Sequence, residues 1–381
     1  MRRSLQFLAV LSFALVINSA FSQAVAYVYV ANNPKNSSTN EIAAFSAASD
    51  GKLTPVFGSP FRENVDDMAV DGSHLLAVSR TAPNIDTFAI EHDGALRYVN
   101  STDYAKYASG DCTAANQIFF DHTGATLYVQ EFNADCANTG VASFRLHKSS
   151  GLLSYLGVDI TGVFPGDNNY ASFIGNNVYA YTAVNSACMY YDIYGFKRDH
   201  NGLLVSVPAG LSLPTPPPDV RRYVPDLVAA DPYNHLAVLM QPANPPGCAA
   251  GPLQLAVYTA SSSGALSTNS THATMPATLI SSPYDMKMSP SGKLVAVAGQ
   301  EGLQIFHFNG ANPITHDTAL LTKDPVNQVF WDNSDHLYAI SQSTGKLRVY
   351  TITPTSVHEA SGSPRSINSP EYLIVQPLVR R

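Results

Sequence analysis

Charge is scarce in this chain. Asp, Glu, Lys and Arg make up 13% of its 381 residues, about half the ~25% of an average soluble protein, which excludes a coiled coil and a charge-rich disordered chain. Positive charge is the scarcer kind, with 22 Lys and Arg against 29 Asp and Glu and a net charge of -7. A broad phosphate-binding surface needs clustered Lys and Arg to displace counterions, so no nucleic-acid partner is expected. Cysteine is rare too: there are four and no CxxC pair, which removes the usual signatures of zinc and redox sites. Amphipathic helical periodicity is missing throughout, as are HExxH, GxSxG and GxxxxGK[ST]. Zincin, nucleophilic-serine and P-loop chemistries lose their anchors. No cofactor is expected.

What the chain does have is 45% hydrophobic residues, 24 Gly and 25 Pro, with abundant Ser, Thr, Asn and Tyr, a composition of many short strands and turns. At the N-terminus Arg2 and Arg3 precede an apolar run from Leu5 to Ile17, and small residues follow at Ser19, Ala20 and Ser22. That is the order of a secretory signal, and the run is shorter than the ~20 residues a spanning helix needs. Residues 1–22 are expected to be a signal peptide and residues 23–381 one exported domain, secreted or periplasmic, without a membrane span.

An aliphatic residue followed three positions later by an aromatic one recurs in seven copies: Ile42/Phe45, Ile85/Phe88, Val141/Phe144, Ile193/Phe196, Leu255/Tyr258, Leu303/Phe306 and Leu347/Tyr350. In the first five a Gly and then a Leu follow, as in Gly51-Leu53 and Gly94-Leu96, marking a strand, a tight turn that tolerates positive φ, and an outer strand. A second hairpin stands ahead of most of these, with turns such as Asp71-Gly72, Asp121 to Gly124 and Asp332 to Asp335. Four strands recurring at a spacing of about 45 to 60 residues are the signature of a propeller blade. The fold class is therefore all-β, a seven-bladed β-propeller of four-stranded antiparallel blades. The first unit starts at its second strand, Ala26 to Val30, and Ser369 to Gln376 is left as an orphan inner strand, so the C-terminal strand is expected to close the ring by completing blade one.

Three phrases carry a family resemblance: Ala26-Tyr27-Val28-Tyr29-Val30-Ala31-Asn32-Asn33, Asp121-His122-Thr123-Gly124-Ala125-Thr126-Leu127-Tyr128-Val129, and Gly51-Lys52-Leu53-Thr54-Pro55-Val56-Phe57-Gly58-Ser59-Pro60-Phe61. Over essentially the whole mature chain the sequence resembles the seven-bladed lactonase, 6-phosphogluconolactonase-like and YVTN-repeat propellers. The resemblance implies a site at one mouth of the central channel, with His, Arg and Glu near the starts of inner strands and just after second strands. Glu131, after Leu127-Tyr128-Val129-Gln130, matches the family's glutamate and is the candidate catalytic residue. The family's Pro-His or Arg-His has no counterpart: the comparable stretches read Pro225-Asp226-Leu227, Pro283-Tyr284-Asp285 and Pro325-Val326-Asn327, and Arg221 and Arg222 stand a few residues early. The absent histidine weighs towards binding and away from lactone hydrolysis.

The connections around 104–114, 130–140, 161–169, 183–189, 208–224 and 241–252 are long and all belong to one face, where binding usually resides. Counting back from each first turn to the mouth on that face gives Asp66, Asn116, Tyr170, Asp226, Tyr284, Asn327 and Glu371, with Asp67, Gln117, Asp285 and Gln328 beside them. This polar, net-acidic ring suits a polar ligand or a hard cation, or is simply solvated. The candidate ligand-binding residues are Asp66, Asn116, Asp226, Asp285, Asn327, Glu371 and Arg222. Tyr104, Tyr107, Tyr181, Tyr190, Tyr191 and Tyr223 are expected on the same face, suited to stacking. His74, His122, His235 and His336 fall in first turns of the opposite face and read as surface residues. In an oxidising compartment the even set of cysteines is expected to pair, Cys112 with Cys136 and Cys188 with Cys248, all on long loops. The expected molecule is a monomer that presents its loop-rich face to a small molecule, glycan or protein; the alternative is a lactonase-like hydrolase at the channel mouth.

Overall fold

The computed structural model describes residues 23–33, 40–79, 82–107, 115–131, 140–160, 171–186, 190–210, 212–245, 250–316, 318–353 and 355–378. The expected signal peptide and all four cysteines lie outside these residues. The described chain forms seven antiparallel sheets arranged as blades, five of them four-stranded and two carrying an additional short outer strand. Among the described residues helix is limited to one 3-10 turn, Tyr104–Lys106, and no helix is long and apolar enough to cross a membrane.

The seven inner strands are Pro370–Pro377, Asp67–Val70, Ala115–Phe120, Ser172–Phe173, Arg222–Ala230, Pro283–Met288 and Gln328–Trp331, for blades one to seven. Blade one is completed as expected: Pro370–Pro377 pairs antiparallel with Ala26–Asn32, Val28 standing opposite Val375.

The aliphatic/aromatic repeat lies on the third strand of every blade, and its spacing explains the ring. Side chains alternate between strand faces, so residues three apart point to opposite sides of a blade. Phe45 packs with Tyr338 and Leu347 of blade seven, whereas Ile42 packs with Leu75 and Ala77 of blade two. The same division holds round the molecule, and each of the seven apolar clusters fills one junction between neighbouring blades. The core is thus seven interlayers, each supplied by both partners.

The turn glycines and second-strand tyrosines lock these interlayers. Tyr29 donates to Gly94 O (2.9 Å), Tyr128 to Gly202 O (2.9 Å) and Tyr181 to Gly264 O (2.8 Å), each reaching into the outer turn of the next blade. Gly94 has φ of +87°, and a Cβ there would stand 2.5 Å from Tyr27 Cδ1, so both backbone and packing require glycine.

Three first-turn histidines depart from the surface reading. The turn aspartate accepts backbone N–H groups of its own turn and also engages the histidine ring, drawing it inward. In blade seven Asp332 Oδ1 accepts from Ser334 N (2.7 Å) and His336 N (3.0 Å), while Oδ2 stands 2.8 Å from His336 Nδ1 and accepts from Tyr338 Oη at 2.9 Å. His336 is completely buried. His235 is held by Asp231 (2.8 Å) in the same way, and His74 is buried beside Asp71. His122 remains at the surface.

Candidate functional site

The predicted mouth residues share a backbone feature. In blades one, three, five and six the strand register slips at the mouth, leaving Glu371, Asn116, Asp226 and Tyr284 as the extra residue of a β-bulge. Blades two and seven repeat it. Asp67 and Gln328 are the register partners of Val78 and Ile340, yet Asp66 N–H and Asn327 N–H also bond to Val78 O (2.8 Å) and Ile340 O (2.9 Å). A bulge leaves its extra residue outside the ladder, bends the strand and re-aims side chains. The ring read from the sequence is therefore a ring of bulges, with Asp66, Asp226, Asn327 and Glu371 all half-buried at the mouth. Asp66 Oδ2 accepts from Ser79 Oγ (3.2 Å), and Asn327 Oδ1 from Gln342 N (2.8 Å).

In blades two, six and seven the next residue, Asp67, Asp285 or Gln328, has a different task. Inner strands are sheet edges, so some of their N–H groups lack a ladder partner and need acceptors. Asp67 Oδ2 accepts from Ile118 N of blade three (3.2 Å), Asp285 Oδ2 from Val329 N of blade seven (3.0 Å) and Gln328 Oε1 from Leu373 N of blade one (2.6 Å). The other oxygen of each aspartate accepts the N–H of its own next residue, Met68 (2.6 Å) or Met286 (2.9 Å). These side chains clasp blade to blade. Asp285, placed by the sequence among the ligand-binding candidates, is buried in such a clasp, with Lys287 Nζ 3.1 Å from its Oδ1. Gln117 occupies the equivalent position in blade three and is 2% exposed. Its Oε1 accepts no hydrogen bond among the described residues. The blade it faces has the short inner strand Ser172–Phe173.

The other candidates are spread more widely. Glu131 ends the second strand of blade three opposite Ala115, which brings its backbone beside the Asn116 bulge; the side chains of Glu131 and Asn116, and all of Tyr170, lie outside the described part. Arg222 is half-buried opposite Ala243, four positions before Asp226 and so about 13 Å farther out along the strand. Beside it Asn244 joins two loops of blade five, accepting from Arg221 N (2.7 Å) and donating to Asp219 O (2.9 Å).

The described tyrosines Tyr104, Tyr181 and Tyr223 are fully buried and point inward rather than offering a stacking platform. The Tyr223 hydroxyl donates to Gln254 Oε1 at 2.5 Å. Burial raises the Tyr223 phenol to about 12. Tyr107 stacks on Tyr155 with ring centroids 4.7 Å apart. An aromatic ring on a strand buries more apolar area by filling an interlayer than by facing water, and that outweighs the exposed placement expected from the sequence. The side chains of Tyr190 and Tyr191 lie outside the described part.

Below the polar mouth the channel is lined mostly by apolar residues, with Asp121, Ser172 and Lys287 interspersed. A cavity of about 360 Å³ is bounded by Met68, Val70, Phe120, Met286, Met288 and Phe330, among others. The sequence signal for it is the apolar residue at the end of an inner strand just before the polar turn, as in Phe120-Asp121 and Met288-Ser289. Among the described residues no group of three or more His, Cys, Asp or Glu is placed to hold a metal ion.

No protein-family model matches the chain, and no curated protein matches it in sequence. Solved structures do match in fold. A candidate 6-phosphogluconolactonase of Bacteroides uniformis superposes with a TM-score of 0.64 at 14% identity, covering 93% of this chain and 100% of its own. A protein of Lactobacillus plantarum gives 0.64 at 12% identity, covering 93% and 99%. A candidate 6-phosphogluconolactonase of Bacteroides fragilis gives 0.63 at 12% identity with the same coverage. The shared architecture is the seven-bladed propeller, and at such identities the likeness concerns the fold alone.

Proposed function

We propose that this is an exported, noncatalytic propeller that binds a small molecule, glycan or protein partner on its long-loop face, above the acidic mouth. The observation that carries the reading is the bulge ring. Four inner strands interrupt their ladders, at Glu371, Asn116, Asp226 and Tyr284, the N–H groups of Asp66 and Asn327 bond at the corresponding position just before two other inner strands, and bulges concentrate where a side chain must be re-aimed. In blades two, six and seven the clasping residue one position on serves the scaffold, so there the two tasks fall to neighbouring positions. Gln117 Oε1 favours blades three to five as the ligand's location, because this buried acceptor is unmatched among the described residues. Export through the signal at residues 1–22 and the disulfides Cys112 to Cys136 and Cys188 to Cys248 complete the proposal, with the mature chain acting as a monomer.

The competing reading is a lactonase-like hydrolase in which Glu131, beside the Asn116 bulge, serves as acid or base. A ligand found by screening small molecules and glycans against the mature protein should bind Asp226→Ala with Glu371→Ala at least roughly tenfold more weakly, given the loss of charged acceptors. Undiminished binding by that double variant would remove the mouth from the site. Turnover of a lactone panel that disappears in Glu131→Gln while binding persists would establish the hydrolase instead.

A further inference from the structure

Two features of the bore below the mouth point to a ligand of its own. The first is unused apolar surface. Val70, Phe120, Ala230, Met288 and Phe330 stand near the short-turn ends of five inner strands and line the cavity of about 360 Å³. All five are only half-buried, whereas the apolar clusters between the blades are closed. The second is the treatment of polar groups. Inner-strand N–H groups are met by side chains of the wall: Met68 N and Ile118 N by Asp67, Met286 N and Val329 N by Asp285, Leu373 N by Gln328, and Ala230 N by Ser172 Oγ at 3.0 Å. A water-filled bore would itself supply acceptors to such groups, so these side chains are what a dry wall requires. The charged residues of the lining are committed in the same way. Asp121 Oδ1 accepts from Thr123 Oγ1 (2.8 Å) and Ala125 N (3.1 Å), its Oδ2 stands 2.9 Å from Arg198 Nη2, and Lys287 Nζ is held by Asp285 Oδ1 at 3.1 Å.

We propose that the bore binds a small uncharged aromatic molecule the size of naphthalene. A dry apolar cavity of about 150 Å³ takes benzene, and the bore has rather more than twice that volume. Phe120 and Phe330 offer aromatic contacts to a ring, and Met68, Met286 and Met288 adapt to its outline. Charge is selected against, because a carboxylate or ammonium entering the bore would lose its water while the lining's own charges stay bound to their partners. The way in is from the short-turn face. There a hollow of about 420 Å³ shares Ala230, Lys287, Met288 and Phe330 with the bore and continues it outward past Phe173 and Trp331.

The chain has seven methionines, and their methyl groups report the site. Naphthalene is titrated into the mature protein carrying 13C-methyl methionine. Ring-current shifts that saturate are expected at Met68, Met286 and Met288, and none at Met240 and Met275, which are buried between blades four and five. 2-Naphthoate and 2-naphthylmethylammonium should bind at least roughly tenfold more weakly than naphthalene. Ala230→Phe, which fills the bore, should weaken naphthalene by roughly tenfold or more, Met288→Leu should retain it, and the mouth variant Asp226→Ala with Glu371→Ala should leave it unchanged. Circular dichroism confirms that each variant is folded. The proposal is overturned if naphthalene moves none of the three bore methyls up to its solubility limit, if either charged analogue binds as tightly, or if folded Ala230→Phe binds naphthalene undiminished. Neither residue varied in the bore belongs to the mouth ring, so each of these results leaves the reading of the long-loop mouth standing.

Discussion

Asp285→Ala tests whether a clasping residue, of the kind found in blades two, six and seven, holds its blade to the next. The substitution deletes both acceptors of the clasp and leaves Met286 N–H and Val329 N–H, which lie 2.9 and 3.0 Å from the carboxylate, without their partner. Both residues are buried, Val329 completely. An unsatisfied buried donor costs about 1–3 kcal/mol, so two of them, with partial access to channel water, give an expected loss of about 2–4 kcal/mol. The Lys287 pair at 3.1 Å adds little, because that ammonium is partly exposed. Asp285→Asn keeps one acceptor oxygen and should lose about half as much. Asp226→Ala, one position earlier in its own blade's pattern and half-buried at a bulge, is the control and should cost less than about 1 kcal/mol. Guanidinium unfolding followed through Trp331 reads the effect near the broken junction, since the indole N–H bonds to Lys287 O. Equal midpoints for Asp285→Ala and Asp226→Ala, with unchanged denaturant slopes, would refute the division of labour between the two positions.

The fold was legible because propeller repeats are written in strand packing. The Ile42/Phe45 type of pair survives in all seven blades since each member must fill a different interlayer, and the orphan strand at Ser369 to Gln376 was visible because blade one had no other inner strand. The bulge positions at the mouth were legible in the sequence, the roles of the side chains beside them only in part. Counting back from the turns found the bulge positions, but sequence spacing does not distinguish the bulged residue Tyr284 from the clasping Asp285 beside it, because that distinction depends on where the next blade's N–H groups fall. His336 and Tyr181 were misplaced for a related reason. A polar tip on a ring suggests solvent or ligand until the structure supplies Asp332 for one and Gly264 O for the other. The apolar bore escaped notice because Phe120, Met288 and Phe330 resemble ordinary core residues until the ring closes around them.

Removing residues 369–381 should abolish cooperative folding: Leu373 and Val375 are completely buried and Tyr372 and Ile374 nearly so, worth on the order of 6–10 kcal/mol together, and a cooperative melt near that of the intact chain would disprove closure by this strand. Gly94→Ala should cost about 2–4 kcal/mol in chemical denaturation, combining the left-handed backbone with the contact to Tyr27. Gly72→Ala, where φ is +107° but nothing lies within 4 Å, should show the backbone part alone, and equal losses would remove the packing argument. The last prediction concerns pH. Glu63 enters blade two in a half-buried position; burial first, and then the neighbouring Asp86 carboxylate, raise it to about 7, against a pull downwards from Asn64 N–H. The unfolded chain releases this proton near the ordinary glutamate value of 4.5. Between about 4.5 and 7 the folded state therefore binds more protons than the unfolded state, and this residue's contribution to stability falls as pH rises through that window. Solvent screening of a half-exposed group reduces the effect to about 1–2 kcal/mol. Glu63→Gln cannot ionise, so its stability should lose that component of the pH slope and exceed that of the parent at pH 8, with little gain at pH 4. Parallel stability profiles for the two proteins, measured by denaturant midpoints from pH 4 to 8, would show that Glu63 ionises freely in the fold.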